Sequence, residues 1–421
     1  MDEIQERALL AALRKPGVSD WVVDDHLDEL AQLTDTAGAQ VMGRFTQRLA
    51  RPDPATFLGR GKIGELADEI RHRNVNSVIF DDDLTPAQVR NLERELGVKI
   101  LDRSGLILDI FATRARSREA RTQVELAQLN YLLPRLTRRW EHLSRQIGGI
   151  GVRGPGETQL EVDRRLVRER IAKLKKELSK IGRGRRVRRR KREDLFRAAI
   201  VGYTNAGKST LLNALTGSDV MVENRLFATL DSTTRKLALT PHSSILLTDT
   251  VGFIRKLPHH LVASFRSTLE ETIQSDMLIH LADISHPQFR EQMETVKTVL
   301  TDLGLGERPR LVVFNKVDLL QESASLEWAR NAFPNAIFIS ALLGVRLHNL
   351  ISRLSDMVLK EYVEGNLAIP VDQGGLIARL YHLAEVLDMD QRDGMLQIRF
   401  RTHRNTLNQV MSLADSQGSE S

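Results

Sequence analysis

The 421-residue chain contains no cysteine. That excludes disulfides, thiolate metal sites and cysteine nucleophiles, and it suits a cytoplasmic setting. No apolar run approaches the roughly 18 residues that suggest a membrane span. The opening Met1-Asp-Glu-Ile-Gln-Glu-Arg7 has neither the basic start nor the apolar core of a secretory signal. Any membrane association is therefore expected to be peripheral. The eleven histidines show no paired metal-ligand spacing, and His259-His260 reads as a solvated turn.

Positive charge, by contrast, is concentrated in one place. The net charge is only +6, yet Arg164 to Arg192 carries 16 Lys/Arg against two acids, Glu169 and Glu177. The rest of the chain has 45 basic and 53 acidic residues. A basic block on an otherwise acidic protein predicts a polyanionic partner; the blander alternative is a solvated helix face.

The length allows two to four domains. Residues 1–113 read as an α/β domain. The apolar Val75–Phe80 predicts a buried strand ending at Asp81-Asp82-Asp83, Thr85-Pro86 a helix start, Val98–Leu101 a second strand, and Ser104 the cap of a helix through Phe111. Alternating strands and helices predict a parallel sheet. Gly59-Arg-Gly-Lys-Ile-Gly64 lacks phosphate-loop spacing and reads as a turn and helix start. Residues 114–194 change period. Leu129, Leu133, Leu136, Trp140, Leu143 and Ile147, then Leu160, Val167, Ile171, Leu174, Leu178 and Ile181, form two heptad-like seams. They predict an antiparallel helical hairpin, kinked or broken at Pro134. Its loop, 148–156, holds five glycines and Arg153, more than a helical hairpin needs to turn, and reads as an RNA-probing tip. The basic run 183–192 extends that face or links the hairpin to the third domain. Residues 195–364 predict a doubly wound sheet with strands at Ala198–Val201, Ile245–Leu247, Met277–Ile279, Leu311–Phe314 and Ala336–Ile339. Residues 365–421 predict a small α+β domain with a glycine joint at Gly374-Gly375 and a strand over Gly394–Phe400.

Four stretches of the third region carry the chemistry. Gly202, Tyr203, Thr204, Asn205, Ala206, Gly207, Lys208 and Ser209 fit the phosphate-loop pattern G-x-x-x-x-G-K-[ST] between a strand and a helix. Backbone N–H groups of such a loop point at phosphate oxygens, Lys208 would contact the β- and γ-phosphates, and Ser209 would ligate Mg²⁺. Asp249, Thr250, Val251 and Gly252 follow the second strand; Asp249 can hold Mg²⁺ through water, and the Gly252 N–H can meet the γ-phosphate. Thr229, Thr233 and Thr234 compete as the second hydroxyl ligand. Asn315, Lys316, Val317 and Asp318 select the base: a carboxylate accepts both N1–H and N2–H of guanine and faces an acceptor in adenine. Ser340-Ala341 would bring a backbone N–H to guanine O6. Together these predict a Mg²⁺-dependent GTP site. Phe253, where many such proteins carry a water-positioning glutamine, can neither orient nor deprotonate water. It predicts either an inactive GTP-binding protein or a slow GTPase completed by its partner.

The chain resembles the HflX family of translation-associated GTPases. The resemblance rests on Gly148-Gly-Ile-Gly-Val-Arg-Gly-Pro-Gly-Glu-Thr-Gln-Leu-Glu161, Phe227-Ala-Thr-Leu-Asp-Ser-Thr-Thr234, Asp249-Thr-Val-Gly-Phe-Ile-Arg255 and Asp102-Arg-Ser-Gly-Leu-Ile-Leu-Asp-Ile-Phe111. It implies a Ras-like P-loop GTPase domain preceded by an HflX-type domain and a hairpin. It implies binding to the large ribosomal subunit and its RNA, not DNA, with splitting of stalled ribosomes. The same resemblance implies Ser209 and Thr229 as Mg²⁺ ligands, catalytic roles for Lys208, Thr229 and Gly252, and nucleotide contacts that add Phe227, Ala228, Leu230, Asp231 and Leu342. Ser232 departs from the proline usual after this Phe-Ala-Thr-Leu-Asp stretch. The family is also credited with ATP use, but no adenine site is legible here. A monomer is expected. A nucleotide-gated RNA-binding switch in ribosome assembly is the competing reading, whereas a tRNA-modification GTPase would want the cysteine this chain lacks.

Overall fold

The computed structural model describes residues 6–136, 159–190, 195–219, 223, 225–240, 243–256, 269–321, 323–360, 362–404 and 406–415. The glycine loop 148–156, seam positions Trp140, Leu143 and Ile147, His259-His260, Lys191-Arg192 and the C-terminal tail lie outside them.

The first layer runs β1 (Arg7–Arg14), α1 (Asp20–Thr36), β2 (Gln40–Arg48), α2 (Arg60–Arg73), β3 (Ser77–Phe80), α3 (Pro86–Leu96), β4 (Lys99–Asp102) and α4 (Arg103–Arg114). Its four strands form a parallel sheet in the order β2-β1-β3-β4. Ala8 to Leu13 are buried without a break, as a central parallel strand covered on both faces requires. Gly59 opens α2, and α3 opens with a reciprocal Thr85/Gln88 capping box and Pro86 in the first turn. The cap of α4 is Asp102 rather than Ser104. Asp102 ends β4 and accepts the Gly105 N–H at 2.8 Å, while the Ser104 hydroxyl turns to Asp83.

The hairpin legs are α5 (Arg118–Leu132) and α6 (Gln159–Arg190), with a 3₁₀ turn over Leu133–Arg135 at Pro134. Pairing of Arg118 with Glu177, Glu125 with Arg170 and Arg164 with the Leu136 carbonyl makes the legs antiparallel. Leu126, Leu129 and Leu136 pack on Val167, Ile171 and Leu174, the seam that the heptad spacing predicts.

The nucleotide layer contains β5 (Phe196–Gly202), α7 (Lys208–Thr216), β6 (Thr233–Thr240), β7 (Ser243–Asp249), α8 (Glu270–Ile273), β8 (Met277–Asp283), α9 (Phe289–Asp302), β9 (Arg310–Asn315), α10 (Ser323–Ala332), β10 (Ile337–Phe338) and α11 (Leu347–Leu359). The sheet order is β10-β9-β8-β5-β7-β6, parallel except for the edge strand β6. The fold is that of a P-loop GTPase. Strand β6 was not expected: as an edge strand it buries only Leu237, too little for a clear alternation.

Strands β11 (Tyr362–Pro370), β12 (Glu385–Arg392) and β13 (Met395–His403) form an antiparallel sheet ordered β11-β13-β12, with α12 (Gly374–Leu383) and α13 (Leu407–Asp415). The expected boundary at 365 therefore cuts β11, and Gly374-Gly375 opens a helix rather than a joint.

One apolar cluster crosses between the first and nucleotide layers. It joins Leu27, Leu30 and Phe111 to Tyr203, Phe227, Phe253 and Ile254.

Candidate nucleotide-binding site

The phosphate loop is shaped by close approaches. A Cβ on Gly202 would lie 2.3 Å from the Leu281 carbonyl oxygen, and one on Gly207 2.4 Å from Asn315 Nδ2. Gly207 also sits at φ +94°, where a side chain adds strain. The loop leads directly into the N-terminus of α7, which turns backbone N–H groups toward an anion. Lys208 is buried, and its ammonium donates to the Tyr203 carbonyl at 2.9 Å. Burial pushes its pKa down to about 8, opposed by Asp249. An ammonium that desolvated gains by meeting a phosphate.

Beside it three oxygen side chains converge. The Ser209 hydroxyl lies 2.8 Å from Thr229 Oγ1 and donates to Asp249 Oδ2 at 2.6 Å. Asp249 is fully buried; burial raises its pKa, against the pull of Lys208 and the Ser209 hydrogen bond. Its Oδ1 has no hydrogen-bond partner among the described residues. A buried, unpartnered carboxylate oxygen beside two hydroxyls is a hard donor set that fits Mg²⁺. Thr233 and Thr234 instead belong to β6, where the Thr234 hydroxyl pairs with that of Thr248 at 2.9 Å.

Phe227 is held at φ +55°, its N–H donating to Thr204 Oγ1 at 2.9 Å, and Phe227, Ala228 and Thr229 line the phosphate cleft. The next two residues turn away from it. Leu230 is buried in the core, and the Asp231 carboxylate accepts the Arg116 and Ser117 N–H groups at 3.0 and 3.1 Å. Their expected nucleotide contacts are therefore not side-chain contacts here. Tyr203 likewise sends its hydroxyl to Glu29 at 2.5 Å, and Val251 is buried in the apolar cluster. Thr250 donates to the Ile200 carbonyl at 2.7 Å, tying the segment after β7 to β5. Gly252 faces the loop so closely that a Cβ would lie 2.6 Å from Thr204 Cα and 2.9 Å from Lys208 Nζ.

Phe253 accounts for its own presence. Its N–H donates to the Gly202 carbonyl at 3.1 Å and its carbonyl accepts the Thr204 N–H at 2.7 Å. The ring, 2% exposed, lies in the apolar cluster rather than over the cleft. A glutamine here would bury an amide in hydrocarbon.

At the base end, Asn315 is a brace: Nδ2 donates to the Ala206 carbonyl and Oδ1 accepts the Ala341 N–H, both at 2.9 Å. The phosphate loop and the Ser340-Ala341 loop are thus held by one amide. Ser340 is fully buried, its hydroxyl accepting the Leu343 N–H at 3.2 Å. Lys316, at φ +61°, pairs with Asp283 at 2.7 Å. Val317 and Asp318 lie on a 3₁₀ turn; Asp318 is exposed and makes no ion pair among the described residues, so its carboxylate is available to a ligand. Leu342 is 78% exposed at the rim.

Sequence reasoning missed a charged hub between the layers. Arg103, 1% exposed, pairs with Glu29 and, at 2.8 Å, with Asp81. Arg255 donates to Glu29 at 2.8 Å, its N–H meets Tyr203 Oη at 2.8 Å, and Lys256 reaches Asp81 at 2.6 Å and Asp82 at 2.8 Å. Burial would raise the Asp81 carboxyl, but Lys256, Arg103 and Arg255 hold it below the usual carboxylate value. The one available signal was an acidic triplet at the C-terminal end of a strand, Asp81-Asp82-Asp83.

Three family models match in succession: GTP-binding GTPase N-terminal over residues 24–112, GTP-binding GTPase Middle Region over 114–192, and 50S ribosome-binding GTPase over 197–316. The chain is 46% identical over 387 residues to the GTPase HflX of Magnetococcus marinus, covering 91% of this chain and 89% of that one. It is 42% identical over 381 residues to the GTPase HflX of Escherichia coli K12, covering 90% and 89%. Among solved structures, a GTP-binding protein from the archaeon Sulfolobus solfataricus in complex with GDP is 25% identical, with a TM-score of 0.45 over 84% of this chain and 98% of that one.

Proposed function

The chain belongs to the HflX family of GTPases, and from that premise we propose that it binds the large ribosomal subunit in its GTP form and splits stalled ribosomes, with hydrolysis stimulated by the ribosome. The observation that carries the reading is Phe253. The residue after Gly252 is committed to the apolar cluster and to the β5 edge, so the isolated protein has no side chain there to orient water. A slow GTPase completed by a docked partner is the consequence, and groups supplied in trans raise such rates by about 10³–10⁵.

In this reading Lys208 and the N–H groups of the phosphate loop hold the β- and γ-phosphates, the Gly252 N–H meets the γ-phosphate, and Asp318 with the Ala341 N–H reads guanine. Ser209 and Thr229 would ligate Mg²⁺ directly, with Asp249 behind them; the ion would neutralise phosphate charge as the γ-phosphoryl group leaves. The partner is ribosomal RNA, met by the exposed basic residues of α6 (Arg165, Arg168, Lys173, Lys175, Lys176 and Lys180) and by the glycine loop 148–156. The protein acts as a cytoplasmic monomer.

Subunit separation, followed by light scattering on purified ribosomes, tests the reading. Wild-type protein with GTP is expected to separate subunits over many turnovers, and Lys208→Ala protein to fail. No separation by the wild-type protein would refute it. Repeated separation by the Lys208→Ala variant would favour an RNA-binding switch in ribosome assembly with incidental hydrolysis.

A further inference from the structure

The segment that carries Thr229 crosses one corner of the neighbouring layer and makes three contacts in succession. Glu223 pairs with Arg114 at 2.7 Å. The Phe227 ring meets Phe111 edge-on, with centroids 4.8 Å apart at 81°. Asp231 accepts from the Arg116 N–H, the Ser117 N–H and the Ser117 hydroxyl. All the receiving residues lie at the α4–α5 corner, and Ser117 is the N-cap of α5, the first leg of the hairpin. Asp231 thus places a carboxylate on the start of that helix, satisfying two N–H groups and the favourable end of its dipole. Only one residue separates it from Thr229, whose hydroxyl already lies beside Ser209.

We propose that the corner Phe111 to Ser117 is a receptor for Glu223 and residues 225–231, with Asp231 and Arg114 as positioning residues through which the bound nucleotide sets the hairpin's attitude. The proposal rests on the reading of Thr229 as nucleotide-responsive. The two connections between the layers differ in kind. After Gly252 the chain is bolted down by the buried hub of Glu29, Asp81, Arg103, Arg255 and Lys256. At Glu223 and residues 225–231 it is held instead by Leu226, Phe227 and Leu230 in the shared apolar cluster and by the polar contacts of Glu223 and Asp231 nearer the surface. With Thr229 beside Ser209, Asp231 holds the start of α5; when the γ-phosphate is lost and Thr229 withdraws, Asp231 must shift with it, and α5 follows it or loses its cap. By linkage the relay runs both ways: RNA that fixes the hairpin changes GTP affinity by the same factor that GTP changes RNA affinity.

Because the chain has no cysteine, a spin-label pair can be introduced without background. Labels at K176C on α6 and E294C on α9, both exposed positions, report hairpin attitude in the full-length protein by pulsed dipolar spectroscopy. The distance distribution is expected to differ between GDP and a non-hydrolysable GTP analogue with Mg²⁺. Asp231→Ala should at least halve that difference, Arg114→Gln should reduce it in the same direction, and nucleotide affinity should stay within about threefold. A full-sized difference in both variants would overturn the relay, as would no difference in the wild type at saturating nucleotide. A more than tenfold loss of affinity in Asp231→Ala would also overturn it, by putting Asp231 at the nucleotide. Should that variant not fold, the wild-type Arg116 and Ser117 amides decide by hydrogen exchange: equal protection with GDP and the analogue overturns the proposal. Failure to bind either nucleotide would sink the site reading itself, whereas normal binding with a static hairpin sinks only the relay.

Discussion

Replacing Asp81 with Asn probes the hub that joins the layers. Asp81 is 2% exposed and faces Arg103 at 2.8 Å, Lys256 at 2.6 Å and Arg255 at 3.5 Å. Arg103 is itself 1% exposed, so losing Asp81 leaves a guanidinium in a dry interior with Glu29 as its remaining acid. Removing one partner of a buried pair typically costs about 3–5 kcal/mol, because the other charge stays desolvated. Native-state hydrogen exchange of the α1 and β3 amides reads that cost as a lower free energy of opening. The control is Arg71→Ala: its pair with Asp68 is 74% exposed on both sides and should contribute nothing measurable. Acid supplies a second arm. The folded pKa of Asp81 lies below the ordinary 3.8, so its contribution is complete above that value and is lost as pH falls through the lower, folded one. Below about pH 3.8 the wild-type protein should therefore lose the advantage it holds over Asp81→Asn. A change in opening free energy below about 1 kcal/mol at neutral pH would refute the reasoning, since it would mean the hub is solvated.

Three further changes test the site. Phe253→Gln should destabilise the protein by about 2–4 kcal/mol without speeding GTP turnover, because the amide enters the apolar cluster; chemical denaturation and a turnover assay together check this, and a faster enzyme would contradict it. Gly252→Ala should weaken a GTP analogue relative to GDP by roughly tenfold, since the new Cβ forces the backbone off the loop; equal losses for both nucleotides in calorimetry would place Gly252 away from the γ-phosphate. Asp318→Asn should lower guanine-nucleotide affinity at least about a hundredfold and recover part of it with xanthosine nucleotides, whose C2 carbonyl suits an amide donor; unchanged guanine preference would remove Asp318 from base recognition.

The sequence was most legible where chemistry constrains neighbours along the chain. Gly202–Ser209, Asp249–Gly252, Asn315–Asp318 and Ser340-Ala341 each lie at or just beyond the C-terminal end of a strand of one sheet, because a doubly wound fold gathers those ends. The hairpin was readable because Leu129, Leu133 and Leu136 repeat at the seam period. Strand β1 was not: Arg7–Arg14 is rich in Ala and Leu, good helix formers, and only its place at the centre of a parallel sheet makes it a strand. The hub was invisible for another reason. Glu29 and Arg255 are 226 residues apart, and a local pattern carries no information about such a pairing. Asp231 shows the limit most clearly, since the family resemblance implied a nucleotide contact and the fold sends its carboxylate to Ser117.

The proposal turns on Phe253: with that position committed to the apolar cluster, the GTPase acquires its water-positioning group on the ribosome. Steady-state GTP turnover titrated with isolated large ribosomal subunits, and with small subunits as the comparison, tests it most directly. The account predicts a slow intrinsic rate that rises on the order of 10³-fold with large subunits and little with small ones. A rate that stays flat up to saturating large subunits would contradict it.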